Sequence, residues 1–318
     1  MADPMGAGAP AAIAVHSALA RVAQQVTMAI LHIQHRTTYL YKHAVEFGEH
    51  RLMSRPRDSH DLRLIDTSLS IDPPAASLRW IHDVFGNSIA IASFDQPGQT
   101  LTFDSGFRAE HYPAAPREIV VEPYASQFPL SYSVEDAMDL GRTKERHYQD
   151  PQHLVDEWAK AIVARTPEAR TLDVLTEMAS SIRKDFKYAA REEVGVQTPL
   201  ETLEARAGSC RDFALFMMEA ARSLGLAARF VSGYLYDEAL VGDGALVGGG
   251  ATHAWLQVFL PGAGWIELDP TNALVGGHNL IRVAVARDPS QAIPLAGSYK
   301  GEKEDFVSMS VEVTVTTE

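Results

Sequence analysis

The sequence predicts an α+β protein in two parts: an antiparallel β-sandwich-like N-terminal domain, then a domain of helices and antiparallel strands. Three observations carry that expectation. Short alternating apolar runs separated by proline and glycine turns fill residues 28–115, a spacing typical of antiparallel sandwiches. Three runs of helical periodicity follow residue 150, and five strand-like runs come after them. Helices followed by strands pack as an α+β unit. At 318 residues the chain is long enough to bury two cores.

Taken in order, residues 1–27 read as a disordered or weakly helical extension. Asp3 precedes the alanine-rich run, His16 interrupts it, and the first basic residue is Arg21; an export signal needs a basic start and an unbroken apolar stretch. The strands of the first domain are ILHIQHRTTYLY (30–41), LRLIDTSLSI (62–71), SLRWIHDV (77–84), NSIAIASF (87–94) and QTLTFDSGFRAEHY (99–112). Asp72-Pro73-Pro74, Gly86-Asn87 and Gln96-Pro97-Gly98 are their turns. Pro116, Pro123 and Pro129 mark an extended linker over 116–150. The second domain, 151–318, opens with HLVDEWAKAIVA and TLDVLTEMASSIRKDF, and its third helix follows Cys210. Phe213, Phe216, Met217, Ala220 and Leu224 give that helix one apolar face, and Gly225 stops it. The runs AARFVSGYLYDE, THAWLQVFL, GWIELD, NLIRVAVA and FVSMSVEVTVTT supply the strands.

Composition excludes several functions. A net charge of −13 and a pI near 5.4 would repel a phosphate backbone, so no nucleic acid is expected. No apolar run approaches the ~20 residues that span a bilayer, so no membrane is expected. A single cysteine fits a reducing, cytoplasmic setting. No metal or cofactor is expected: HExxH is absent, and His32 and His35 fall on opposite faces of one strand. No aspartate-rich loop matches an EF-hand. The glycine-rich segment 237–251 lacks the Lys-Ser/Thr ending of a phosphate loop and precedes a strand. It reads as a mobile lid or as a plain flexible loop.

The lone cysteine, Cys210, stands in AGSCRDFALF at the start of the third helix. It can make no internal disulfide, which leaves a small buried hydrophobe or a nucleophile. With Ser209 as N-cap, Cys210 falls in the first turn, where the helix dipole and free amides favour an anion. Arg211 adds to that effect and Asp212 opposes it. A cysteine nucleophile needs an imidazole and a group that orients it. The strands 252–260 and 264–269 flank the loop Pro261-Gly262-Ala263-Gly264. Paired antiparallel, they would bring His253 opposite Asp269 or within a residue or two of it, in hydrogen-bonding reach. This geometry permits catalysis without requiring it.

The motifs G-S-C-R-D-F-A (208–214), T-H-A-W (252–255) and D-P-T-N (269–272) resemble, in order and spacing, the catalytic blocks of the transglutaminase-like superfamily. R-L-M-S-R-P-R (51–57) and D-V-F-G-N (83–87) resemble the bacterial transglutaminase-like N-terminal region, and the resemblance spans about 28–318. Such proteins usually begin near the position of Met28. The resemblance implies a papain-like fold and a triad of Cys210, His253 and Asp269, with no calcium requirement carried over from animal relatives. It also implies a peptide or protein amide substrate and a thioester intermediate, resolved by water in a peptidase or amidase and by an amine in a transglutaminase. Water is the more abundant acceptor, so hydrolysis is the expected outcome. The competing readings are a non-catalytic interaction protein that retains the fold, and acyl transfer to a small arylamine, whose usual N-terminal helical bundle is absent. Around the triad, Trp255 either walls the site or packs in the core. Gln197 is a candidate oxyanion donor or a solvated turn residue, Tyr188 is a further candidate, and the Cys210 amide is the better donor. Asn272 is expected to fix the turn after Asp269.

Overall fold

A computed structural model describes residues 29–112, 119–190, 195–236 and 251–317. The extension expected at 1–27 and the glycine-rich segment 237–250 lie outside the described residues. Five strands form the N-terminal region: β1 (Ala29–Leu52), β2 (Leu62–Asp72), β3 (Ser77–His82), β4 (Ser88–Ser93) and β5 (Gly98–His111). All five were expected, but β1 runs eleven residues further than its alternating run Ile30–Tyr41. The pairing register of β1 shifts between Leu40 and Val45 and again between Phe47 and His50. Such bulges break the alternation that a strand reading depends on.

These bulges let β1 serve two halves of one curled antiparallel sheet, ordered β2-β5-β1-β4-β3. Its first half pairs with β5, and its second half with β4. Tyr41, Phe47, Leu52, Leu101 and Phe103 are buried inside the curl. Within the expected linker a short helix forms, α1 (Val134–Leu140). Ser133 caps it, its Oγ accepting the Asp136 N–H at 3.0 Å.

Helices α2 (Leu154–Arg165) and α3 (Thr171–Asp185) appear where periodicity placed them. Next come β6 (Lys187–Tyr188), α4 (Pro199–Ala205), β7 (Ala207–Gly208) and α5 (Cys210–Ser223). Strands β8 (Ala228–Leu235), β9 (His253–Leu260), β10 (Gly264–Asp269), β11 (Leu274–Val275) and β12 (Leu280–Ala286) build a second antiparallel sheet, ordered β11-β10-β9-β8-β12. Helix α5 crosses that sheet. Its buried residues run continuously from Asp212 to Arg222, so it is enclosed rather than packed by one face as expected. On one side it meets Ala254, Leu256 and Val258 of β9; on the other it meets Val155 and Ile162 of α2 and Met178 of α3. Its polar residues are consumed internally: Arg222 donates to the Glu219 carboxylate at 2.8 Å, both side chains fully buried.

The last two strands, β13 (Leu295–Lys300) and β14 (Phe306–Thr317), pair antiparallel with β1. The C-terminal run is a strand as expected, but it joins the N-terminal sheet and not the sheet of the 151–318 unit. Alternation specifies a strand with one buried face; it does not name the partner. The chain thus returns to its start, and the two regions meet across the outer face of the second sheet. Leu31, Ile33 and Phe107 pack there against Tyr234, Ile281 and Val283. The D-V-F-G-N turn adds a polar tie: Asn87 Nδ2 donates to the Val285 carbonyl at 2.7 Å, and Val285 N–H donates to Asn87 Oδ1 at 2.9 Å. The side chain of Asn87 therefore occupies an edge of β12 as a backbone amide would.

Candidate active site

Cys210 is the first residue of α5, with Ser209 in extended conformation before it. Asp212 secures this helix start. One carboxylate oxygen accepts the Ser209 N–H and O–H, each at 2.8 Å, and the other accepts the Gln197 N–H at 2.7 Å. A side chain that reaches back to the N-cap backbone is the second half of a capping box. Asp212 is thus committed to holding the turn, and it draws Gln197 to the cysteine end of the helix. The Gln197 side-chain oxygen, Oε1, accepts the Thr202 hydroxyl at 3.2 Å. The cysteine itself is buried and free. Arg211, the next residue, donates to the Pro289 carbonyl at 3.0 Å and lies over the Phe230 ring.

His253 opens β9. The last cross-strand pair of the hairpin is Leu268 with Leu256, so Asp269 lies one step beyond it and meets His253 diagonally. His253 Nε2 donates to Asp269 Oδ2 at 2.9 Å, with both side chains fully buried. Asp269 is itself held: Thr271 N–H donates to Oδ1 at 2.9 Å, and Asn272 Nδ2 donates to Oδ2 at 2.8 Å. Asn272 therefore fixes the turn, as expected. These three donors leave the carboxylate charge unneutralised by any arginine or lysine among its described partners. The consequence is legible on His253. Burial resists its protonation, but the Asp269 charge and hydrogen bond, with a further contribution from Cys210, push its pKa up to about 10. His253 Nδ1 is buried without a hydrogen-bond partner among the described residues, and Cys210 lies near enough to the ring to help raise its pKa.

The remaining expected residues take distinct places. Tyr188 pairs with Gly208 across the short parallel ladder of β6 and β7. Burial and the charges of Cys210, Asp212 and Asp269 push its hydroxyl up to about 12, so it stays a neutral donor facing the site. Gln197 is half-buried beside the helix start, and not a solvated turn residue. Trp255 is fully buried, its ring stacked on His253 at 5.9 Å between centroids and 27° between planes. It therefore both walls the imidazole and packs in the core, against Val231, Leu235 and Leu280. Sequence reasoning missed Glu267, which accepts the Trp255 indole N–H. An acidic residue in the middle of a buried hairpin strand was the available signal. Among the described residues no His/Cys/Asp/Glu group could hold a metal ion, and no helix is long and apolar enough to cross a membrane.

Residues 31–110 match the bacterial transglutaminase-like N-terminal region, and residues 156–270 match the transglutaminase-like superfamily. An uncharacterized protein of Mycobacterium tuberculosis (H37Rv) is 30% identical over 298 residues, covering 88% of this chain and 91% of that protein. A second, from Mycobacterium leprae, is 27% identical over 292 residues, covering 89% and 98%. The crystal structure of "a Putative Cysteine Protease from Cytophaga hutchinsonii" superposes with a TM-score of 0.65 at 17% identity, over 92% of this chain and 91% of that one; at that identity the likeness is one of fold. With relatives along nearly its full length and family matches on both regions, the chain belongs to the transglutaminase-like superfamily, with a bacterial transglutaminase-like N-terminal region.

Proposed function

We propose that the protein is a cysteine-dependent amide-bond enzyme, a peptidase or amidase that works through a thioester on peptide or protein substrates. The observation that carries this reading is the buried His253–Asp269 pair, whose imidazole is held protonated beside Cys210 at the start of α5. In the proposed cycle the Cys210 thiolate attacks the amide carbonyl carbon, forming a C–S bond. The carbonyl oxygen gains negative charge and is received by the Cys210 amide, one of the first-turn N–H groups that lack intrahelical acceptors. Gln197 and Tyr188 flank that position. The C–N bond then breaks as His253 gives its proton to the departing amine. The now neutral His253 takes a proton from water, which attacks the thioester and releases the acid and the thiolate. Asp269 fixes the tautomer and stabilises the imidazolium.

The test is covalent labelling followed by product analysis. Iodoacetamide should alkylate Cys210 at pH 6, where an ordinary thiol of pKa ~8.5 is almost wholly protonated. Cys210→Ala should take no label, and His253→Ala should label far more slowly. Equal rates in wild type and His253→Ala would remove the ion pair and the reading with it. Acyl-enzyme formed from a peptide-amide probe is then offered water and a lysine analogue together. Free acid as the main product supports hydrolysis; an amide of the lysine analogue would make the protein a transglutaminase.

A further inference from the structure

The outer face of β9 and β10 carries an unusual row of polar groups directly behind the site. Trp255 and Gln257 on β9 share this face with Glu267 on β10, and both donate to the Glu267 carboxylate: Trp255 through Nε1, and Gln257 through Nε2 at 2.6 Å. A third donor arrives from β12, Arg282 Nη1 at 2.7 Å. Glu267 is buried, and every one of these partners is too, in whole or in large part. A buried carboxylate with three donors is costly to assemble and is rigid once complete.

The arrangement fixes an aromatic ring and not merely a charge. The indole of Trp255 has one polar atom, and its bond to Glu267 sets the rotation of the ring in its pocket. The same ring is the surface on which His253 stacks. Gly233 on β8, the cross-strand partner of His253, makes room for this: a β-carbon there would lie 2.7 Å from Trp255 Cη2 and 2.1 Å from the Ile281 carbonyl oxygen. The imidazole thus has an Asp269 bond at one edge, Cys210 acting on it from α5, and the Trp255 ring against one face. The hydrogen bond to Asp269 fixes a point of the ring but leaves its plane free to tilt about that bond. The Trp255 stack removes the tilt.

We infer that Glu267 is a positioning residue for the His253 imidazole, acting through Trp255. The inference rests on the proposed Cys210–His253 pair. It also extends that pair to the N-terminal region, because the Arg282 guanidinium that braces Glu267 is shared with both oxygens of Asp61, at 3.1 and 3.2 Å. Glu267 touches no reacting atom; its effect is on where the imidazole points.

The experiment measures the second-order rate of Cys210 alkylation by iodoacetamide from pH 5 to 9, in the full chain and in variants. Glu267→Gln keeps the shape but turns an acceptor oxygen into a donor, leaving one of three donors unmet. Its rate at pH 6 should fall by about 10-fold, since small misplacements of a catalytic group cost one to two orders of magnitude. The midpoint of its pH profile should move upward, toward that of a free thiol. Trp255→Phe lacks the indole N–H and should show the same two changes; it carries the test if Glu267→Gln fails to fold. The double variant should lose no more than the worse single, because both changes break one linkage. Wild-type rate and midpoint in Glu267→Gln, or additive losses in the double variant, overturn the inference while His253→Ala still reacts slowly. If His253→Ala reacts as fast as wild type, the ion pair itself is refuted, a result distinct from either of those.

Discussion

Two regions of this protein bury histidines, and they charge them in opposite ways. In the second sheet His253 is pushed up to about 10; in the N-terminal sheet His35 and His111 are pushed down to about 4. All three are buried, and burial disfavours the imidazolium at each. Each also has a carboxylate within electrostatic range. For His35 it is Asp104, which is tied to the Arg36 guanidinium, and His35 itself bonds to the hydroxyls of Tyr234 and Thr37. For His111 it is Asp61, which is engaged by Arg282. Asp269 instead is held by a backbone amide and a side-chain amide, and it hydrogen-bonds His253 directly. Direct contact separates the cases: Asp269 hydrogen-bonds the imidazole it charges, whereas Asp104 and Asp61 act on theirs by charge alone and are shared with arginines.

The strongest way to break this comparison is Asp269→Asn. The substitution keeps the volume and removes the charge, so turnover per folded molecule should fall by about 10⁴-fold, as in the related serine triad. If Asp269 serves only the turn with Thr271 and Asn272, the variant will instead keep its turnover per folded molecule, whatever happens to its melting temperature.

A smaller effect follows from the opposite signs. His35 and His111 have folded-state values below the unfolded 6.5, so the stability they contribute is present above about 6.5. It is lost as pH falls toward 4, by up to about 3 kcal/mol each. His253 has a raised folded-state value, so its contribution is complete below 6.5 and is lost as pH rises through about 10. Urea unfolding between pH 4 and 10 should show both limbs. His35→Gln should flatten the acid limb alone, and His253→Gln the alkaline limb alone; an unchanged acid limb in His35→Gln would remove the assignment.

The smallest effect sharpens the rule. Arg36 is more than half exposed, so Arg36→Met is structurally mild. It should strengthen the pull that Asp104 already exerts on His35 and raise the His35 pKa, read by NMR titration. A fixed His35 value would mean that burial alone sets it.

Much of this was legible in the chain. The His253–Asp269 pairing, the N-cap Ser209 and the stop at Gly225 follow from local rules, and each is realised in the structure. Helices α1 and α4 were missed because seven residues are too few for a helical period to show. The signals were the caps: Ser133, and the Thr198/Glu201 box with Pro199. The late half of β1 was missed because its bulges break the alternation.

By itself the sequence determined the family, the strand–helix–strand order and the elements on which Cys210, His253 and Asp269 fall. These depend on residue type and short spacing, which local sterics and hydrogen bonding translate directly. Only the tertiary structure decided that β13 and β14 return to β1, that α5 is buried all round, and that Glu267 stands behind Trp255. Each of those depends on which surface meets which across long sequence separations. A hydrophobic pattern says that a face will be covered, whereas the covering surface is chosen by the packing of the whole chain.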